Sequence, residues 1–132
     1  ASAFKSIVIA YKGLAVNSAS LTRISRQIAW LSTTVGSESA AQTLAAAGVQ
    51  ARLAACAQVD AIQSTYWWDG ALQQSAEWRI TYKTTTEQLS ALQTALQAVH
   101  PYTLAQWLSG HCHASPAYAQ WVAAEVARPV QA

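Results

Sequence analysis

Charge is scarce in this chain. Asp, Glu, Lys and Arg make up 11% of its 132 residues, against roughly 25% in an average soluble domain. The formal net charge of +2 is too small to track a phosphate backbone, and no Lys/Arg cluster or aromatic–basic interleaving marks a nucleic-acid surface. Long apolar runs are missing as well: none approaches the ~18 residues of a membrane span. The only two cysteines, Cys56 and Cys112, do not make a disulfide framework, and neither sits in a C-x-x-C. A single Cys56–Cys112 bridge stays open at this stage, and a reducing, cytoplasmic setting is the simpler expectation. No G-x-S-x-G, P-loop, H-E-x-x-H or G-x-G-x-x-G occurs. The only aspartates, Asp60 and Asp69, have no evident histidine partner. The expectation is a protein that is not an enzyme and takes no organic cofactor.

Apolar and aromatic residues are abundant instead. Hydrophobic residues reach 52%, with six Trp and five Tyr. A single domain of this size has a large surface for its volume and ordinarily covers it with charge. The shortage favours burial of part of that surface against other copies, an obligate homo-oligomer, because aromatics concentrate at interface centres. One aromatic-rich core is the competing account. Residues 1–27 stand apart. Lys5, Lys12, Arg23 and Arg26 fall there, whereas the first acid is Glu38. That makeup matches an organellar transit peptide, yet SIVIAY (residues 6–11) reads as a short strand of an ordinary structured extension. The chain divides into this extension, 1–27, of unassigned role and a domain over 28–132.

Within the domain the periods are clear. Ile28 to Val35 is apolar and β-prone and reads as a buried strand ending at Gly36. Ser37 caps a helix with Glu38 in its first turn, and Ala41, Leu44, Ala45, Gly48 and Arg52 share one stripe. Leu53 to Trp68 reads as a long strand, and Asp69-Gly70 is a strong signal for a type I′ hairpin turn. In the return strand Trp78, Ile80 and Tyr82 point one way, and Glu77, Arg79, Thr81 and Lys83 the other. Thr84 and Glu87 have capping-box spacing ahead of a helix carrying Leu89, Leu92, Leu96 and Val99, which stops before His100-Pro101. Tyr102 to about Ser109 reads as a strand. Ser115-Pro116 opens a last helix that buries Tyr118, Trp121 and Val122. The order β-α-β-β-α-β-α is the split βαβ, ferredoxin-like arrangement, an α+β fold with an added C-terminal helix. The hairpin is too long for so small a sheet, so its tip at Trp67, Trp68 and Asp69 is expected to pack on a neighbour.

The stretches TTVGSESAAQTLA, ARLAAC, STYWWDG with a following Glu77, YKT, HPY and SPAYAQWV stand in this order over roughly residues 30–125. Together they closely resemble the CutA divalent-cation tolerance proteins. The resemblance implies a ferredoxin-like protomer, a homotrimer interlocked through long β-hairpins, and a link to tolerance of copper and other divalent cations. The family pattern is met at Arg52 to Cys56 and at Ser64, Tyr66, Trp68, Gly70, Glu77, Lys83 and Thr84. It is met again at His100, Pro101, Tyr102, Pro116, Tyr118, Trp121 and Val122. The chain departs from it at Ala71, where the family usually has Lys, and at Ala105-Gln106, where it usually has Pro-Glu.

Two sets of candidate residues follow. Glu77 and Lys83, on one strand face, are expected with Tyr66, Trp68 and Tyr102 to line a polar pocket between subunits; a purely structural hydrogen-bond set is the alternative. For metal, copper(I) favours thiolate and imidazole, and Cys56 and His100 are the family-matched candidates, against a small buried thiol. His111, Cys112 and His113 add three ligand types in three consecutive positions. On a strand the two imidazoles share a face about 7 Å apart at Cβ and Cys112 turns away; in a loop all three could converge. The leading reading is a non-enzymatic homotrimer that binds copper or another divalent cation, with no nucleic acid and no membrane span. The alternatives are a small-molecule or anion-sensing signalling trimer with clefts between subunits, and a scaffolding trimer.

Overall fold

A computed structural model describes residues 26–130. The transit-peptide and short-strand readings of the N-terminal extension lie outside the described residues. Four strands and three helices follow in the expected order: β1 (Arg26–Val35), α1 (Glu38–Gln50), β2 (Cys56–Trp68), β3 (Ala71–Thr84), α2 (Leu89–Gln97), β4 (Leu108–Ala114) and α3 (Pro116–Ala127). The strands form one sheet in the order β2-β3-β1-β4, with every neighbouring pair antiparallel. This is the split βαβ, ferredoxin-like arrangement with an added C-terminal helix.

Alternation along each strand gives the sheet two faces. On the first, Leu31, Val35, Ile80 and Tyr82 meet Ala41 and Leu44 of α1 and Leu92 and Leu96 of α2, all buried. Close approach of α1 depends on Gly48, where a Cβ would stand 2.7 Å from the Tyr82 ring. The Tyr82 hydroxyl donates to the Leu44 carbonyl at 2.7 Å, so its one polar atom is paired inside the core. On the second face, α3 packs Ala119 and Val122 on Ile28. Helix α1 begins as its sequence requires, with the Ser37 hydroxyl accepting from the Ala40 amide at 3.1 Å. Helix α3 repeats the device at Ser115, which accepts from Tyr118 with proline in the first turn.

Several boundaries differ from the sequence reading. Arg52 is not on the α1 stripe: it lies past the helix with φ 60°. Leu53 and Ala54 then return their amides to the Gly48 carbonyl, which delays β2 to Cys56. The Thr84–Glu87 capping box does not form, because the Thr84 hydroxyl donates to the Leu53 carbonyl at 2.6 Å. A 3-10 turn at Thr86–Gln88 leads into α2 instead, which ends before Val99 and leaves that side chain exposed. The strand expected from Tyr102 starts only at Leu108. His100 organises the chain there, bonding Thr33 Oγ1 at 2.9 Å and packing edge-on against Trp107 at 5.4 Å, so the segment leaves the sheet.

The hairpin is as long as its sequence indicated. Strands β2 and β3 pair from Cys56↔Lys83 to Trp68↔Ala71, while β1 pairs with β3 only as far as Trp78. Beyond that point a two-stranded ribbon of seven residues per arm (62–68) projects about 23 Å. Asp69 and Gly70 both have positive φ, 52° and 74°, as a type I′ turn demands.

Candidate functional site

The second face is only half covered. Under α3, Cys112, Tyr118 and Trp121 flank the Ile28–Val122 contact, and Cys56 Sγ lies 3.4 Å from the Tyr118 hydroxyl. Burial, then the neighbouring Cys56 and Cys112 thiols, push the Tyr118 pKa well above its ordinary value. The two thiols do not bridge. β3 and β1 stand between their strands, so their backbones are about 14 Å apart, twice the reach of a disulfide. Both are free.

Past the edge of α3 the face opens into a cavity of about 610 Å³ whose lining includes Trp30, Ser32, Thr34, Ile62, Ser64, Glu77, Arg79 and Thr81. Its charge is one-sided. Arg79 is committed to Asp60, with Nη2 2.9 Å from Oδ2 and Nε 3.3 Å from Oδ1. Glu77 makes no ion pair among the described residues. The Tyr102 pKa is raised by burial first, then by the negative charge of Glu77, by Tyr66, and by a hydrogen bond to Glu77. Tyr102 reaches this position because Gly36 has no side chain: a Cβ there would meet the phenol oxygen at 2.9 Å.

Of the expected pocket, the structure thus brings together Tyr66, Glu77 and Tyr102. Lys83 and Trp68 do not join them. Lys83 lies six residues along β3 from Glu77, about 20 Å, and its Nζ donates to Gln58 Oε1 at 2.8 Å. Trp68 sits at the ribbon tip, 56% exposed, a similar distance the other way. Sequence reasoning missed Ser32, Thr34, Asp60 and Arg79 as parts of this cup. The signal was present in the hydroxyls at alternate positions of β1, Ser32 and Thr34, which mark a polar face on a strand otherwise read as uniformly buried and apolar.

The metal candidates scatter. His100 uses both ring nitrogens. Nδ1 accepts from the Tyr102 amide at 3.0 Å, so the proton of the neutral ring sits on Nε2, where it meets Thr33 Oγ1. Burial lowers the His100 pKa, with a hydrogen bond to the Thr34 backbone acting the other way. It belongs with Thr33 on the first face, whereas Cys56 lies on the second, so the family-matched pair does not fit a common ion within one protomer. The HCH stretch falls in β4, which settles the strand-or-loop alternative. His111 and His113 are exposed on one side, and Cys112 turns in toward Ile28 and α3. No group of three or more His, Cys, Asp or Glu side chains is placed to hold a metal among the described residues. No helix there is long and apolar enough to cross a membrane.

Comparison with known proteins gives a consistent result. The family described as CutA1 divalent ion tolerance protein matches residues 29–125. A Thermus thermophilus relative named divalent-cation tolerance protein CutA is 42% identical over 72 residues, spanning 54% of this chain and 70% of the relative. The structure of CutA from Synechococcus elongatus superposes with a TM-score of 0.73 at 44% identity, over 76% of this chain and 90% of that one. A structure of the same protein complexed with a Bis-Tris molecule gives 0.70 at 43% identity, over 75% and 93%.

Proposed function

Because this chain belongs to the CutA1 divalent ion tolerance family, we propose that it serves divalent-cation tolerance as a homotrimer without catalytic activity, its cation-binding groups lying on surfaces that a single protomer leaves open. The observation that carries this reading is the ribbon. Its tip exposes Trp67 (74%), Trp68 (56%) and Leu72 (59%), more apolar area than a charge-poor monomer leaves in water. Trp67 and Leu72 are register partners on one side of the ribbon, while Trp68 with Ala71 faces the other. A neighbour therefore has to cover both sides, which an interlocked closed ring of copies does. The half-covered second face supports the same assembly.

A second reading concerns the cup. A small molecule seated there meets one uncompensated carboxylate, Glu77, between two phenols, because Arg79 is neutralised by Asp60 and Lys83 is remote. That charge balance favours a cationic or polyhydroxyl ligand over an anion. The Bis-Tris complex of a relative is in keeping with a family fold that admits small organic molecules. The test is the solution mass of the full chain by light scattering, followed by calorimetric titration with copper(II), zinc and nickel(II). A three-chain mass with binding of at least one cation is expected. A monomer at every concentration overturns the assembly, and a trimer inert to all three ions overturns the cation role.

A further inference from the structure

We propose that His111 and His113 form a two-imidazole, solvent-open site for a divalent transition-metal ion on the edge strand β4. The chain has three histidines, and His100 is spent on holding its own segment. The other two lie at i and i+2 of one strand, both exposed, so their Cβ atoms are about 7 Å apart on one face. Two imidazole arms, each ending in a metal–nitrogen bond of about 2.0–2.1 Å, close over that span on a single ion. Neither ring makes a hydrogen bond, ion pair or ring contact with a described residue, so no interaction has to break before a metal binds.

The backbone beneath the pair is fixed. Ala29 and Gln27 of β1 pair with His111 and His113, and one residue earlier the Trp30 indole lies where a Cβ on Gly110 would be, at 2.9 Å. Gln27, opposite His113, adds an amide to the same face, and water fills the remaining positions. Cys112 is turned to the other side, so the ligand set is nitrogen and oxygen without thiolate. Such a set favours copper(II), with nickel(II) and zinc weaker, over copper(I). The proposal rests on the cation role above and names one site for it.

The test is copper(II) titration of the full chain by calorimetry, with electron paramagnetic resonance of the loaded protein, for wild type, His111→Asn, His113→Asn, the double variant and Cys112→Ser. The expected result is one copper(II) per protomer with hyperfine structure from two nitrogens, and a loss of roughly tenfold or more in affinity in either single histidine variant, because the chelate needs both arms. Cys112→Ser is expected to bind as wild type. A double variant that binds as tightly as wild type overturns the site while leaving the cation role standing. Wild type that binds no copper(II) overturns the site, and the cation role falls with it only where zinc and nickel(II) are not bound either. A Cys112→Ser variant that loses affinity as the histidine variants do puts the thiol in the ligand set and overturns the strand geometry.

Discussion

Replacing Trp68 by alanine removes a side chain that the protomer leaves 56% exposed. An aromatic of this size presents about 250 Å², so roughly 140 Å² remains for a neighbour to bury, worth about 3–4 kcal/mol at ~25 cal/mol per Å². Ordering costs at an interface reduce that to about 2–3 kcal/mol per site. Repeated at three equivalent positions, the loss is about 6–9 kcal/mol, or four to six decades in the trimer association constant. Fold and assembly should separate cleanly. The ribbon tip lies beyond the last β1–β3 pair and contributes nothing to the Leu31–Tyr82 core, so the protomer keeps its secondary structure while the assembly comes apart. Sedimentation equilibrium over a dilution series reads the first quantity and far-ultraviolet circular dichroism the second. A Trp68→Ala protein that stays trimeric at concentrations where wild type begins to dissociate would refute the argument that the tip packs on a neighbour.

Alkaline pH probes the core. Burial raises the Tyr82 pKa above its ordinary 10.0, so the folded state disfavours the phenolate. The stability this represents is fully present below the unfolded value and is lost as pH climbs from there toward the folded one. Tyr82→Phe should cost about 1–2 kcal/mol at neutral pH through the lost bond to Leu44, yet lose less on going from about pH 8 to about pH 11 than wild type does. Denaturant midpoints at the two values decide it, and equal losses refute the assignment. Arg52→Gly tolerates the φ of 60° but removes the 2.8 Å ion pair to Glu125 that ties α3 to the loop before β2. Helix α3 then covers Cys56 and Cys112 less well, and both thiols should react several-fold faster with an aromatic disulfide reagent. Unchanged rates would mean that the packing at Ile28 holds α3 unaided.

Most of the fold was legible because period and punctuation agreed. Ser37, Asp69-Gly70 and Ser115-Pro116 each sit where the backbone needs that residue type, and Ile80 and Tyr82 alternate cleanly into the core. The errors share a cause: at each one a side chain with a local reading was claimed by a distant partner. Thr84 looked like a cap and bonds the Leu53 carbonyl. Arg52 looked helical and turns left-handed toward Glu125. Tyr102 looked like a strand residue and instead arches over Gly36 to Glu77. The cup was half legible for the same reason. Glu77 and Lys83 share a face by parity, but parity carries no distance, and about 20 Å of strand separates them.

The two faces of the sheet differ in kind, and that difference bears on how a chain with so few charges can act. The first face is sealed by α1 and α2, and its polar atoms are paired internally, Tyr82 with Leu44 and His100 with Thr33. Among the described residues its exposed imidazoles are those of His111 and His113, on the edge strand β4. The second face holds Glu77 in a cup that α3 does not reach, with Tyr102 hydrogen-bonded to that carboxylate and Tyr66 nearby. Where the family usually has Lys after the hairpin glycine this chain has Ala71, and Ala105-Gln106 replaces the usual Pro-Glu. Each replacement removes a charge from the region around the ribbon and cup, one of each sign. The net field there is unchanged in total but simplified, with Glu77 left as the one carboxylate in the cup's lining, and it makes no ion pair among the described residues. A ligand in the cup is therefore selected by a single negative charge and by the walls a neighbouring copy adds. Assembly and binding are then coupled: whatever loosens the ribbon, as Trp68→Ala should, weakens any ligand in the cup while leaving the exposed histidine pair on β4 unaffected.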